Sequence, residues 1–145
     1  MAHEVTTPGG PILASAYAED DTHPAKDAAE AALRELGWEP PPFYLSIKAD
    51  AVPKLATVER ATAAADAAGL HDLRVEAVRV PVPDLTPLEL VEWRLGMAQL
   101  SWVVSSLTDD ERVTVTDRAL ARLGADPPPL VRVHSGCVTG DIFHS

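Results

Sequence analysis

The chain has 145 residues, 46% hydrophobic and 23% charged, a globular composition of about one domain that excludes wholesale disorder and a second full-sized domain. Twelve basic against 22 acidic residues leave a net charge of −10, the wrong sign for neutralising nucleic-acid phosphates or anionic lipid. No apolar run approaches the ~20 residues of a membrane helix. The opening Met1-Ala2-His3-Glu4-Val5 lacks the parts of a secretory signal, so with the single Cys137 a cytoplasmic location is expected.

Pro8-Gly9-Gly10-Pro11 marks a turn, and the short apolar run Ile12-Leu13-Ala14-Ser15-Ala16-Tyr17 predicts a strand over 11–18, buried on both faces. After the acidic break at Glu19-Asp20-Asp21, Pro24 can open a helix. Ala28, Ala29, Ala32, Leu33 and Leu36 recur at helical spacing until Gly37. Pro40-Pro41-Pro42 then reads as a stiff extended spacer. A second helix is expected over 53–68, with Leu55, Val58, Thr62 and Ala65 on one stripe and Gly69 behind it.

Leu73 to Val80 alternates with period two after one slip of phase, which predicts a strand with a bulge near Ala77, ended by Pro81 and Pro83. Thr86-Pro87-Leu88-Glu89 combines an N-cap, a proline at the first helical position and a glutamate able to reach back, and so starts a helix. Its stripe runs through Leu88, Val91, Leu95, Ala98 and Trp102, interrupted at Gly96. Thr108-Asp109-Asp110-Glu111 opens a further helix through Leu123, and Leu130-Val131-Arg132-Val133-His134-Ser135 predicts a last strand running toward Val138. The proline clusters read as linkers within a single domain spanning 1–145.

In this order of elements, Pro8-Gly9-Gly10 followed by a buried strand resembles the entry to the fifth strand of class I S-adenosylmethionine-dependent small-molecule methyltransferases. Ala64-Ala65-Asp66-Ala67-Ala68-Gly69-Leu70 is similar to the family's helix, turn and sixth strand. Leu85 to Met97 looks like the helical substrate cap that some bacterial members carry. Arg132-Val133-His134-Ser135 would be the seventh strand, which the family inserts antiparallel between the fifth and sixth. The resemblance implies a partial Rossmann-like α/β sheet of about three strands with a helical cap, equivalent to the C-terminal half of the fold. It also implies that the methyl-donor site is missing, because that site needs a glycine-rich loop after the first strand and an acidic residue after the second. Gly9-Gly10 has neither that spacing nor a following helix. No cofactor is therefore expected on the chain alone, and S-adenosylmethionine only if a partner completes it.

Two sets of side chains are candidates for chemistry. If the first strand ends at Tyr17, then Tyr17, Asp20, Asp21 and His23 lie outside its carboxyl end, where open sheets collect ligands, and could move protons. An acidic loop before a helix, whose dipole favours the aspartates, is the plainer reading. Trp93 and Met97, with Tyr44 and Phe43 from the proline-rich joint, could line a pocket for a small apolar metabolite oriented by Arg94 or Gln99. Core packing explains Trp93 and Met97 as well, and is expected for Leu95 and Trp102. His134 and Cys137 lack a zinc signature, and no metal site is expected.

Two functional readings follow. One is a methyltransferase-like substrate-cap and assembly module, a partner subunit of a split or truncated enzyme. The apolar edge of strand 11–18 would be covered by a second copy of the chain or by a separate N-terminal half. The alternative is a small cofactor-free cyclase or isomerase using the cap pocket with Tyr17, His23 or an aspartate.

Overall fold

The computed structural model describes the backbone over residues 11–142 and side chains as far as Ser135. The Pro8-Gly9-Gly10 turn and the Cys137 side chain lie outside the described residues. The elements are β1 (Pro11–Tyr17), α1 (Pro24–Arg34), α2 (Pro42–Ser46), α3 (Val58–Ala67), β2 (Leu70–Arg74), β3 (Ala77–Val82), α4 (Pro87–Leu95), α5 (Ala98–Ser106), α6 (Asp109–Leu123) and β4 (Leu130–Ile142). A π-helical turn, Ile47–Ala51, and a 3-10 turn, Val52–Leu55, join α2 to α3. The fold is mixed α/β. Among the described residues no helix is long and apolar enough to cross a membrane.

Two compact units divide the chain: residues 11–21, 45–80 and 132–142 form one, and Thr22–Tyr44 with Pro81–Val131 form the other. In the first, β4 lies between β1 and β2, antiparallel to both, and β3 also pairs with β4. β1 and β2 are therefore parallel to each other. The β1 register runs Ala14↔Val138, Ala16↔Ser135, Tyr17↔His134, so two steps on β1 face three on β4, the mark of a bulge on β4. On the other side His71↔Asp141 is followed by Arg74↔Thr139, which puts the extra residue on β2. Asp72, at φ 53°, occupies that irregularity, in the left-handed region that aspartate tolerates better than most residues.

The second unit is helical. α1 lays its alanines against α4 and α6, and Ala29, Ala32, Leu33, Trp38, Val91, Leu95, Leu100, Val115 and Ala119 make one core. Small side chains on α1 permit close helix approach, and the branched ones fill the space between. Both capping boxes form: the Thr86 and Thr108 hydroxyls accept the Glu89 and Glu111 N–H groups, and each carboxylate returns a bond to its threonine. Gly124, at φ 81°, ends α6.

Several expectations need correction. β1 is an exposed edge strand rather than one buried on both faces, and Leu13 is 73% exposed. α3 starts at Val58, not near Pro53, because Thr57 turns extended and its hydroxyl accepts the Arg60 N–H as an N-cap. Pro42 opens a helix instead of closing an extended spacer. The strand expected over 73–80 is two strands, β2 and β3, with the irregularity at Asp72 rather than Ala77. The stripe from Leu88 to Trp102 belongs to two helices. Met97 takes the extended N-cap conformation of α5, and Trp102 is 54% exposed rather than in the core.

Candidate functional site

In the sheet unit, the β1–β4 pairing sets Tyr17 directly opposite His134, their rings 4.8 Å apart between centroids. Alternation along β4 puts Arg132 on the same face as His134 and turns Val133 and Ser135 to the other, where both are buried. The Arg132 guanidinium lies 4.1 Å from the Tyr17 ring centroid. It also donates to Asp21 through Nε and Nη2, each at 3.0 Å, a fork that fixes position as well as charge. Asp21 Oδ1 accepts the Val133 N–H at 2.8 Å, and Arg79 donates to Asp20 at 2.8 Å. On the buried face the Ser135 hydroxyl donates to the Leu55 carbonyl, and the Glu19 N–H donates to Ala56 O at 3.0 Å.

These bonds tie the end of β1 and the loop after it to β4 and to the turn before α3. Chemically they are anchoring contacts. The carboxylates face guanidinium groups, and the phenol lies over one, so none of the three is arranged as a base beside a reacting proton. His23 belongs to the helical unit and is the N-cap of α1: its Nδ1 accepts the Ala25 N–H at 3.1 Å, and its Nε2 is 2.8 Å from Pro128 O. With Nδ1 accepting, the ring proton belongs on Nε2, where it bonds the carbonyl. Tyr17 and Asp20 thus hold structure within the sheet unit, and His23 does so within the helical unit.

The helical unit contains a cavity of about 390 Å³. Leu95 and Gly96 at the end of α4, Ser101, Val104 and Ser105 of α5, and Arg112, Val115 and Thr116 of α6 line it, with Glu92 and Leu107. The break at Gly96–Met97 creates it, by turning α5 away from the line of α4. A second cavity, about 330 Å³, lies on the other flank of α5 beside Leu33, Leu36, Trp38, Trp102 and Val103.

The residues expected to line a pocket line neither cavity. Trp93, half-buried, packs against the cluster of Ala25, Leu90 and Leu130, as Val82 and Leu85 do. Met97 is not one turn beyond it on a shared helix, because the helix has already ended. Arg94 is 4% exposed and donates to Glu30, which also accepts from Arg34 at 3.0 Å, so its guanidinium is buried in an ion pair rather than free to orient a ligand. Tyr44 is half-buried and Phe43 exposed in α2, and Gln99 is half-buried in α5.

Sequence reasoning missed Arg132, Glu30 and the cavity-lining Glu92 and Arg112, and weighed His134 only as a metal ligand. Arg132 alternates with Val131 and Val133, a pattern that reads as an ordinary solvent-facing strand position. Glu30 stands four residues before Arg34, a signal of an exposed helical pair, while its second partner comes from α4, 64 residues on. Among the described residues no group of three or more His, Cys, Asp or Glu side chains is placed to hold a metal. Comparison with protein-family models gives no match, and no curated protein matches the chain.

Proposed function

We propose that this chain is a methyltransferase-like assembly and substrate-cap module of the cytoplasm, completed by a chain that adds to the open edge of β1. The observation that carries the reading is the sheet: two mutually parallel strands with an antiparallel strand between them, and β1 at its outer edge. This is the order that the resemblance implies for the fifth, seventh and sixth strands, and β1's free side is where the fourth would pair. An apolar edge strand with unpaired N–H and C=O groups is a template for a further strand. In the isolated chain the available cover is a second copy, and a separate chain carrying the methyl-donor half would restore transfer.

Titration calorimetry with S-adenosylmethionine tests the division of labour. The chain alone should give no detectable heat of binding, since the reading assigns the phosphate-type glycine loop and the ribose-binding carboxylate to the other half. Saturable binding in the micromolar range would overturn it.

A further inference from the structure

We infer that the cavity between α4, α5 and α6 is a binding site for a small amphipathic amine, with α5 as its movable wall. The proposal rests on the substrate-cap part of the role just proposed and deepens it. Its test reads binding by the chain alone, whereas the edge-completion reading is tested by association, so the two fail separately.

The cavity volume, about 390 Å³, falls within the range of sites for small molecules. Leu95, Val104, Leu107 and Val115 supply an apolar lining, and the charged groups are Glu92 and Arg112. Arg112 is already engaged: Nε donates to Val104 O at 3.1 Å and Nη2 to Ser105 O at 3.2 Å. Its charge therefore sits on the carbonyl end of α5, which it complements. Glu92 is exposed and, among the described residues, makes no side-chain hydrogen bond or ion pair. It stands in the last turn of α4, where the negative end of the helix dipole adds to the potential. The chain's net charge of −10 acts in the same direction on an approaching ligand. An apolar body on the leucine and valine surface with a protonated nitrogen at Glu92 satisfies both parts of the site.

α5 is weakly held. Leu100 is its one fully buried residue, and Met97 offers its N-terminus no side-chain bond. The Ser101, Ser105 and Ser106 hydroxyls donate to carbonyls of their own helix rather than to neighbours. Cavities on both flanks leave its sides short of van der Waals partners. Leu100, the half-buried Val103 and Val104 beside it and the Arg112 latch hold α5 to the core, and with one fully buried side chain it is the wall of the cavity that a ligand can shift at least cost in packing.

The test is a fluorescence titration of the full chain with dansylcadaverine, a hydrophobic amine, beside dansylamide, its neutral counterpart. Saturable one-to-one binding of the amine is expected, with affinity falling at least about tenfold in Ser101→Phe, whose ring fills the cavity. Ser105→Trp at the same wall serves if Ser101→Phe does not fold by circular dichroism. Glu92→Gln should weaken the amine about three- to fivefold and leave dansylamide unchanged, the scale of an exposed charge pair. Arg112→Ala should speed amide exchange over residues 98–106. No saturable binding to the folded chain, undiminished binding to the cavity-filled variants, equal losses for both dyes, or unchanged exchange would each overturn the proposal.

Discussion

The two compact units bury different kinds of side chain. The helical unit closes around Leu33, Leu90, Val91, Leu100 and Val115, all essentially inaccessible to solvent. In the sheet unit the buried apolar residues are Ala56, Ala61, Ala65 and Val133, whereas Leu13, Tyr17, Leu45, Ile47, Val52, Leu55 and Val80 are exposed. Burial of large apolar side chains is the main favourable term in folding. The helical unit therefore carries most of the chain's stability, and the sheet unit holds its shape through hydrogen bonds and the Asp21–Arg132 fork. Under the proposed assembly role, the large apolar residues that this layer leaves in water are the surface that a partner would cover.

The contrast can be broken most forcefully at Glu30. Glu30→Ala leaves Arg94 buried without its carboxylate, and a loss of about 3–5 kcal/mol in urea unfolding is expected. A loss under about 1 kcal/mol, the scale of an exposed pair, would mean that the helical core is looser than its burial implies. Next comes a matched pair: Leu33→Ala should cost about 3 kcal/mol, as for a filled core site, and Leu13→Ala less than about 0.5 kcal/mol in the monomer. Similar values at the two sites would erase the distinction between the units.

Trp93→Ala sharpens the boundary of the helical core. Packing against Ala25, Leu90 and Leu130 predicts a loss of about 2–3 kcal/mol, somewhat below a fully buried aromatic, with dansylcadaverine binding unchanged because Trp93 does not line the cavity. Weakened dye binding with little change in stability would return it to a pocket role.

The smallest effects lie at the helix starts. Thr86→Ala should cost about 1 kcal/mol. The Thr86 N–H, and then its hydroxyl, hold the Glu89 carboxyl below its ordinary 4.5, and Thr108 does the same for Glu111. Because these groups bind protons more weakly in the folded chain, their contribution is complete above about pH 4.5 and fades as pH falls through the lowered values. Stability measured between pH 6 and pH 3 should therefore fall less steeply in Thr86→Ala than in the wild type. Parallel curves would show that the box carries no linked proton.

Local signals made parts of this fold legible. The threonine, proline and glutamate of 86–89 and the box at 108–111 specify helix starts through bonds made within four residues, and both appear where expected. The same holds for the α1 stripe and the start of β4 at Leu130. The readings that failed depended on what lies across space. Whether the apolar run 11–17 is buried turns on which strands pair with it, and among the described residues β4 alone does. Gly96 signalled an interruption, but that α5 turns away, opens a cavity and leaves Trp102 in solvent depends on how α4 and α6 pack. At the candidate sites, Tyr17 and the neighbouring aspartates were visible as chemistry. Their partners Arg132 and Arg79 were not, because they come from β4 and β3, 111 and 59 positions further along the chain.

The proposed assembly role requires the sheet unit to present β1 as an edge to be completed. Sedimentation velocity over a rising concentration series, on the wild type and on Leu13→Pro, measures this directly, since proline removes an edge N–H and blocks a further strand. Concentration-dependent association of the wild type is expected, and its loss in Leu13→Pro while the helical circular dichroism of both remains the same. A wild type that stays monomeric at every concentration, or a proline variant that associates equally well, would contradict it.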